Sequence, residues 1–291
     1  MGVDTVTKIA IQDLARWKRE GHPWVCLTAY DAPTARVLAS AEVPVVLVGD
    51  SLGNVILGHK STVPVTMDDM VHHCAAVRRG APELFVVGDL PFLAAQVSPE
   101  DAVRNAGRLI QKGGADAVKL EGGLARVGAV RSIVEAGIPV MGHLGLTPQS
   151  ATQLGGFRVQ GVDEKAARRI LEDALALEEA GVFSIVLECV PSALAKTITE
   201  EVSVPIVGIG AGNAVDAQVL VFHDLVGLSG DFQPRFVRRY AEVEDVMKDA
   251  VERFQKDVAA REFPADGESF VAPLVDVLGE DVESSEVEQN G

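Results

Sequence analysis

The 291 residues are 47% hydrophobic and 23% charged, with 42 acids against 26 Lys and Arg and a net charge of −16. A chain of this length and composition can bury a large core, so global disorder is excluded and no disulfide or metal staple is needed for stability. The acidic balance argues against nucleic-acid binding through phosphate contacts, and no unbroken run of about 18 apolar residues predicts a membrane span.

The stretch from Met1 to Gly21 carries Asp4, Asp13 and Glu20 and lacks a signal-peptide pattern. The first expected element is a helix over Thr5–Arg19. Strands are then predicted at Val25–Thr28 and Val45–Gly49, each a near-continuous apolar run of the kind that parallel strands covered on both faces require. A helix at Met67–Arg79 starts behind Thr66 as N-cap and leads to a strand at Leu84–Gly88. The next helix, Pro99–Gly113, has Ser98 as its cap and Glu100 and Asp101 in its first turn. Strands follow at Ala117–Leu120 and Pro139–Gly142. A helix over Asp163–Ala180 ends at Gly181, and strands at Ser184–Leu187, Pro205–Ile209 and Leu220–Val226 come after it. Phe236–Arg261 reads as a long C-terminal helix with Ala241, Val243, Val246, Ala250, Val251 and Phe254 on one apolar stripe.

Eight strands alternating with helices predict an α/β fold, a (β/α)8 TIM-type barrel with an extra N-terminal helix and a C-terminal helix, over residues 1–264. A doubly wound sheet is the rival. However, the first strand is followed by Tyr30-Asp31-Ala32-Pro33 and not by a glycine-rich dinucleotide loop. Residues 265–291 hold eight acids and no base, so this tail carries half of the net charge and is expected to be mobile. Only 9 of the 26 bases are lysine. An acidic surface of this kind suits a concentrated-salt interior, although the tail alone explains half of it. Cys26, Cys74 and Cys189 are widely spaced, form no zinc or disulfide pattern, and fit a reducing cytoplasm.

In a barrel the C-terminal ends of the strands build the active face. Five consecutive strands deliver Asp50 with Ser51, Asp89, Lys119 with Glu121, His143, and Glu188 to that rim. Any one such acid is more often a cap or loop residue, but a series on successive strands is hard to assign to capping. Asp50, Asp89 and Glu121 are hard oxygen donors suited to Mg²⁺. A 2-oxo acid would complete the shell through its keto and carboxylate oxygens, and the proton on its next carbon would become acidic. Glu188 or His143 could then serve as base, and Lys119 could neutralise substrate charge. Lys119 could instead be a structural partner of Glu121 or Asp116, and His143 a satisfied core histidine. His72 and His73 read as structural, and His59 has no visible partner. Gly208-Ile209-Gly210-Ala211-Gly212 could cradle a phosphate or simply make a tight turn.

These residues lie within an ordered set of motifs: LTAYDAPTA at Leu27–Ala35, VGDSLGNVILGH at Val48–His59, TVPVTMDDM at Thr62–Met70, GDLPF at Gly88–Phe92, GADAVKLEGG at Gly114–Gly123, GHLGLTPQS at Gly142–Ser150, GGFRVQG at Gly155–Gly161, VLECVP at Val186–Pro191, and GIGAG followed by QVLVFHDLVGL. In this combination the sequence resembles the ketopantoate hydroxymethyltransferase family over Thr5 to Phe254. Ala217, in place of an expected glycine, and Leu93-Ala94-Ala95 are small departures that touch no proposed ligand.

The resemblance implies transfer of a hydroxymethyl group from 5,10-methylenetetrahydrofolate, or a related pterin, to 3-methyl-2-oxobutanoate, giving 2-dehydropantoate through a Mg²⁺-stabilised enolate. It implies Mg²⁺ ligands Asp50, Asp89 and Glu121, an oxo-acid site of Asp50, Ser51, Asp89 and Lys119 with His143 near the keto oxygen, and Glu188 as base. It also implies a cytoplasmic homo-oligomer, a decamer in known cases. Rival readings are a Mg²⁺-dependent lyase of the phosphoenolpyruvate mutase and isocitrate lyase kind, a Schiff-base aldolase using Lys119, and a non-catalytic scaffold.

Overall fold

The computed structural model describes residues 8–150, 156, 158–230 and 233–270. The expected helix start at Thr5, part of the GGFRVQG motif and most of the acidic tail lie outside them.

Eight parallel strands close into a TIM barrel in sequential order: β1 (Trp24–Thr28), β2 (Val45–Val48), β3 (Phe85–Asp89), β4 (Ala117–Glu121), β5 (Val140–Gly145), β6 (Ser184–Glu188), β7 (Ile206–Ile209) and β8 (Ala217–Leu220). The helices are α1 (Ile11–Glu20), α2 (Ala32–Ser40), the short α3 (Leu52–Val55), α4 (Met67–Gly80), α5 (Pro99–Gln111), α6 (Val127–Glu135), α7 (Glu164–Glu179), α8 (Ser192–Glu201), the short α9 (Phe222–Leu225) and α10 (Val243–Ala260). The caps at Thr66 and Ser98 form where the sequence puts them, and Asp163, expected as the first residue of its helix, is a cap as well. Thr66 Oγ1 accepts from the Asp69 N–H at 3.2 Å, while the Asp69 carboxylate accepts from the Thr66 N–H at 2.9 Å. Ser98 Oγ accepts from the Asp101 N–H at the start of α5 and Asp163 Oδ1 from the Ala166 N–H at the start of α7, each without a return bond.

Side chains alternate across each strand, and the two faces have separate cores. Trp24, Cys26, Val45, Leu47, Phe85, Val87, Ala117, Met141, Val186, Val207, Ala217 and Val219 fill the barrel interior. Leu14 of α1 is fully buried in the same cluster, so α1 plugs the floor. The intervening residues, among them Val46, Val86, Val118, Leu120 and Ile185, pack outward against the helices.

Three boundaries differ from the sequence expectation. The eighth strand is Ala217–Leu220, not Leu220–Val226. Its Ala217 and Val219 face the interior, and its pairing with β1 runs from Trp24↔Ala217 to Leu27↔Leu220. The apolar run continues past the strand because Phe222–Leu225 is the short helix α9, whose first N–H is donated to Thr28 Oγ1 at 3.0 Å. The C-terminal helix starts at Val243, not Phe236. Before it, Val237 is buried and the Tyr240 N–H bonds the Leu225 carbonyl at 2.8 Å, which ties this stretch down as irregular chain. Helix α1 starts at Ile11, behind Ala10.

The chain groups into two compact units, Met1–Glu242 and Val243–Gly291. Within the second, α10 exposes its apolar stripe: Val246, Val251 and Phe254 are 66%, 56% and 52% exposed. No helix among the described residues is long and apolar enough to cross a membrane.

Candidate active site

At the C-terminal ends of the strands the inward face changes character without changing parity. Phe85 and Val87 are followed by Asp89, Ala117 by Lys119 and Glu121, Met141 by His143, and Val186 by Glu188. Strand pairing sets Asp89 opposite Lys119 and Glu121 opposite His143. Asp50 lies two residues past the end of β2, and its N–H is donated to Asp89 Oδ2 at 3.3 Å.

These groups form one connected network. Lys119 Nζ lies 2.8 Å from Asp89 Oδ2 and 3.2 Å from His143 Nδ1. An ammonium can only donate, so Nδ1 is the acceptor and the proton of a neutral imidazole sits on Nε2. That nitrogen is 3.2 Å from Glu188 Oε2, although not aligned as a hydrogen bond. Glu121 Oε1 lies 3.6 Å from His143 Nδ1. Lys119 therefore pairs with Asp89; Asp116 is taken by Lys8 and Arg78 instead. Ser51, the residue after Asp50, shares a 2.7 Å hydrogen bond with the Tyr30 hydroxyl.

Asp50, Asp89, Lys119, Glu121 and His143 are all at most 5% exposed, which sets their electrostatics. Burial pushes Asp89 from 3.8 up to about 7, against the pull of Lys119 and with help from Asp50. Burial likewise raises Glu121 well above the usual carboxylate range. Burial alone would lower Lys119, but Asp89, Glu121 and Asp50 more than offset it and hold the amine above its ordinary value. His143 is lowered by burial and by the neighbouring ammonium, in keeping with a neutral ring. The network thus holds more acid than base among side chains that are almost wholly buried. Asp89 Oδ1 and Glu121 Oε1 are buried with no hydrogen-bond partner. Unpaired buried carboxylate oxygens are costly and call for a cation. Among the described residues no three His, Cys, Asp or Glu form a ready-made metal cage. Mg²⁺ needs none, because it takes one or two carboxylates and keeps several waters.

A family model described as ketopantoate hydroxymethyltransferase matches residues 8–266. The chain belongs to the ketopantoate hydroxymethyltransferase family. It is a transferase enzyme. It is 52% identical over 263 residues to the 3-methyl-2-oxobutanoate hydroxymethyltransferase of Heliobacterium modesticaldum, covering 90% of this chain and 95% of that one. It is 56% identical over 251 residues to the enzyme of that name from Thermus thermophilus, covering 86% and 96%. Among solved structures, phosphonopyruvate hydrolase with oxalate and Mg²⁺ matches at a TM-score of 0.61 and 12% identity, over 89% of this chain and 92% of that one. A 2,3-dimethylmalate lyase of the phosphoenolpyruvate mutase/isocitrate lyase superfamily matches at 0.58 and 17%, over 87% and 86%. At these identities the likeness is one of fold alone.

Two buried polar residues escaped the sequence reading. Tyr30 bonds Ser51, and its carbonyl oxygen lies 2.6 Å from His73 Nδ1. Gln149, 5% exposed, contacts both Asp50 and Glu121. Both stand inside quoted motifs, but neither is a charged group at a strand end, the one signal used. His59 is exposed in a loop. The glycines after β7 are explained by backbone: Gly210 and Gly212 have φ of 63° and 84°, and a Cβ on Gly210 would lie 3.0 Å from the Phe236 ring.

Proposed function

We propose that this rim transfers a hydroxymethyl group from 5,10-methylenetetrahydrofolate, or a related pterin, to 3-methyl-2-oxobutanoate, giving 2-dehydropantoate. The observation that carries the proposal is the single network in which Asp50, Asp89, Lys119, Glu121, His143 and Glu188 converge, with two carboxylate oxygens buried and unpaired. The donor set fits Mg²⁺, which Asp50, Asp89 and Glu121 would hold. When bound, the ion supplies polarisation of the keto oxygen.

The other roles belong to the chain. Lys119, kept protonated by its acid neighbours, offers a fixed positive charge to the oxo-acid carboxylate or to the developing enolate oxygen. Glu188, the most accessible of the network carboxylates with 16% side-chain exposure, removes the C3 proton. His143 Nε2 lies 3.2 Å from Glu188 Oε2, close enough to steady that base once ring and carboxylate align around bound substrate. Ser51, fixed by Tyr30, completes the oxo-acid site. The C3–H bond breaks and a new C3–C bond forms to the one-carbon unit, whose two C–N bonds to the pterin break; one water supplies the hydroxyl oxygen and gives its two protons to the pterin nitrogens, and the proton taken from C3 ends on the new hydroxyl.

Two rivals have less support. A Schiff-base lysine needs a depressed pKa, and Lys119 is raised. A lyase using a cysteine would have only Cys189 near the rim, and burial pushes that thiol up to about 11.

The test is loss of the C3 proton signal when the protein and 3-methyl-2-oxobutanoate are mixed in D₂O without folate. Exchange that requires both Mg²⁺ and Glu188, judged with EDTA and Glu188→Gln, supports the proposal. Exchange that survives EDTA points to an imine on Lys119. If a folded protein gives no exchange, and no 2-dehydropantoate appears after methylenetetrahydrofolate is added, the acceptor assignment is wrong.

A further inference from the structure

The three acids assigned to the cation share a pattern. Asp89 Oδ2 accepts from Lys119 Nζ at 2.8 Å and the Asp50 N–H at 3.3 Å, leaving Oδ1 unpaired. Glu121 Oε2 accepts from the Gln149 N–H at 3.1 Å, leaving Oε1 unpaired. Asp50 Oδ2 accepts from Gln149 Nε2 at 2.9 Å. Each acid has one oxygen held by the protein, and Gln149 holds two of the three.

Gln149 is itself fixed. It lies in the 3₁₀ turn Pro148–Ser150 after β5. The second Nε2 proton goes to the Leu90 carbonyl at 3.0 Å, and its Oε1 accepts from Gln96 Nε2 at 3.2 Å. With two acceptors facing the nitrogen and a donor facing the oxygen, only one orientation of the carboxamide satisfies its neighbours.

We infer that Gln149 is a positioning residue that clamps Asp50 with its side chain and Glu121 with its backbone, so that the oxygens it does not hold face a divalent cation. The inference rests on the cation reading proposed above. Outer partners that orient metal ligands typically change affinity by about 10–100-fold when removed. Gln149→Met keeps the length of the side chain and the backbone donor to Glu121, and removes the amide donor to Asp50 together with the bonds that fix the carboxamide to the Leu90 carbonyl and Gln96.

The experiment uses Mn²⁺ alone as probe, titrated into the full-length protein without substrate, with free Mn²⁺ read by electron paramagnetic resonance. The expected result is saturable binding by the wild type and a Kd about 10–100-fold weaker for Gln149→Met. Gln96→Met, which frees the carboxamide but leaves Gln149 in place, should move the Kd in the same direction by less. A purely structural role would lower the melting temperature in EDTA and leave the Mn²⁺ Kd unchanged. A folded Gln149→Met that binds Mn²⁺ as tightly as the wild type overturns the inference and leaves the cation reading intact. If Gln149→Met does not fold, an unchanged Kd in Gln96→Met overturns it. A wild type with no saturable Mn²⁺ binding removes the cation reading, and the inference with it.

Discussion

Replacing Asp89 by Asn should make the metal-free protein more stable, and increasingly so as pH rises. The Asp89 carboxyl is 1% exposed and is raised from 3.8 to about 7, first by burial. A carboxyl raised in the folded state makes that state hold its proton more tightly than the unfolded chain does. Stability therefore falls as pH rises, starting near the unfolded value and finishing above about 7. At about 1.4 kcal/mol per pH unit, the whole loss is about 4 kcal/mol, of which about 3 kcal/mol falls between pH 5 and 8. Asn at this position keeps the shape and cannot ionise. Urea unfolding of both proteins in EDTA gives the stabilities, and the difference between them isolates Asp89 from the other acids of the chain. The gap should widen in favour of Asp89→Asn by about 3 kcal/mol from pH 5 to 8. Saturating Mg²⁺ should restore stability to the wild type alone. A gap that stays constant with pH would show that Asp89 does not carry a buried, uncompensated charge, and the electrostatic reading of the rim would fail.

Other outcomes follow from single contacts. Gly145 has a φ of 89°, and a Cβ there would sit 2.2 Å from the Glu188 carbonyl oxygen. Gly145→Ala should therefore displace the end of β6 and cut C3-proton exchange at least tenfold, with circular dichroism checking that the barrel persists. Leu14 is the fully buried plug that α1 sets into the barrel floor, so Leu14→Ala should cost about 2–5 kcal/mol in urea unfolding. The same substitution should leave the exchange rate of the folded protein within about twofold, because the floor lies opposite the rim. Burial pushes the thiols of Cys26 and Cys74 up to about 12 and that of Cys189 up to about 11, so labelling with a thiol reagent at neutral pH should be slow for all three in the native state. Cys189→Ser should keep its exchange activity, and complete loss would revive the lyase reading.

The fold was largely readable because each layer of a parallel barrel leaves a simple trace. Buried strands are apolar runs, and helices announce themselves with caps such as Thr66 and Ser98. The eighth strand was misplaced because Leu220–Val226 is as apolar as a strand, whereas the true strand contains the exposed Gln218. The decisive constraint was pairing with β1, a contact between residues nearly 200 apart, which local composition cannot carry. The start of α10 was misjudged for a related reason. Periodicity extends through Ala241, but the Tyr240 backbone is taken by Leu225. At the rim, charged residues at strand ends were legible because an acid after an apolar run is costly and needs a reason. Gln149 and Tyr30 carry no such signature. Their importance lies in which atoms they meet, and those partners come from β4, α4, the chain after β3 and the turn before α3, far away in sequence.

The two-residue alternation that places Lys119 and Glu121 beside each other on one side of β4 also limits how this enzyme can diverge. Substitutions change one address at a time, whereas a one-residue deletion upstream in β4 would send both groups to the helix-facing side and bring Val118 and Leu120 into the rim. The strands from β3 to β6 act as a reading frame for the chemistry. A length change in the loops and helices between them would leave every strand's parity as it is.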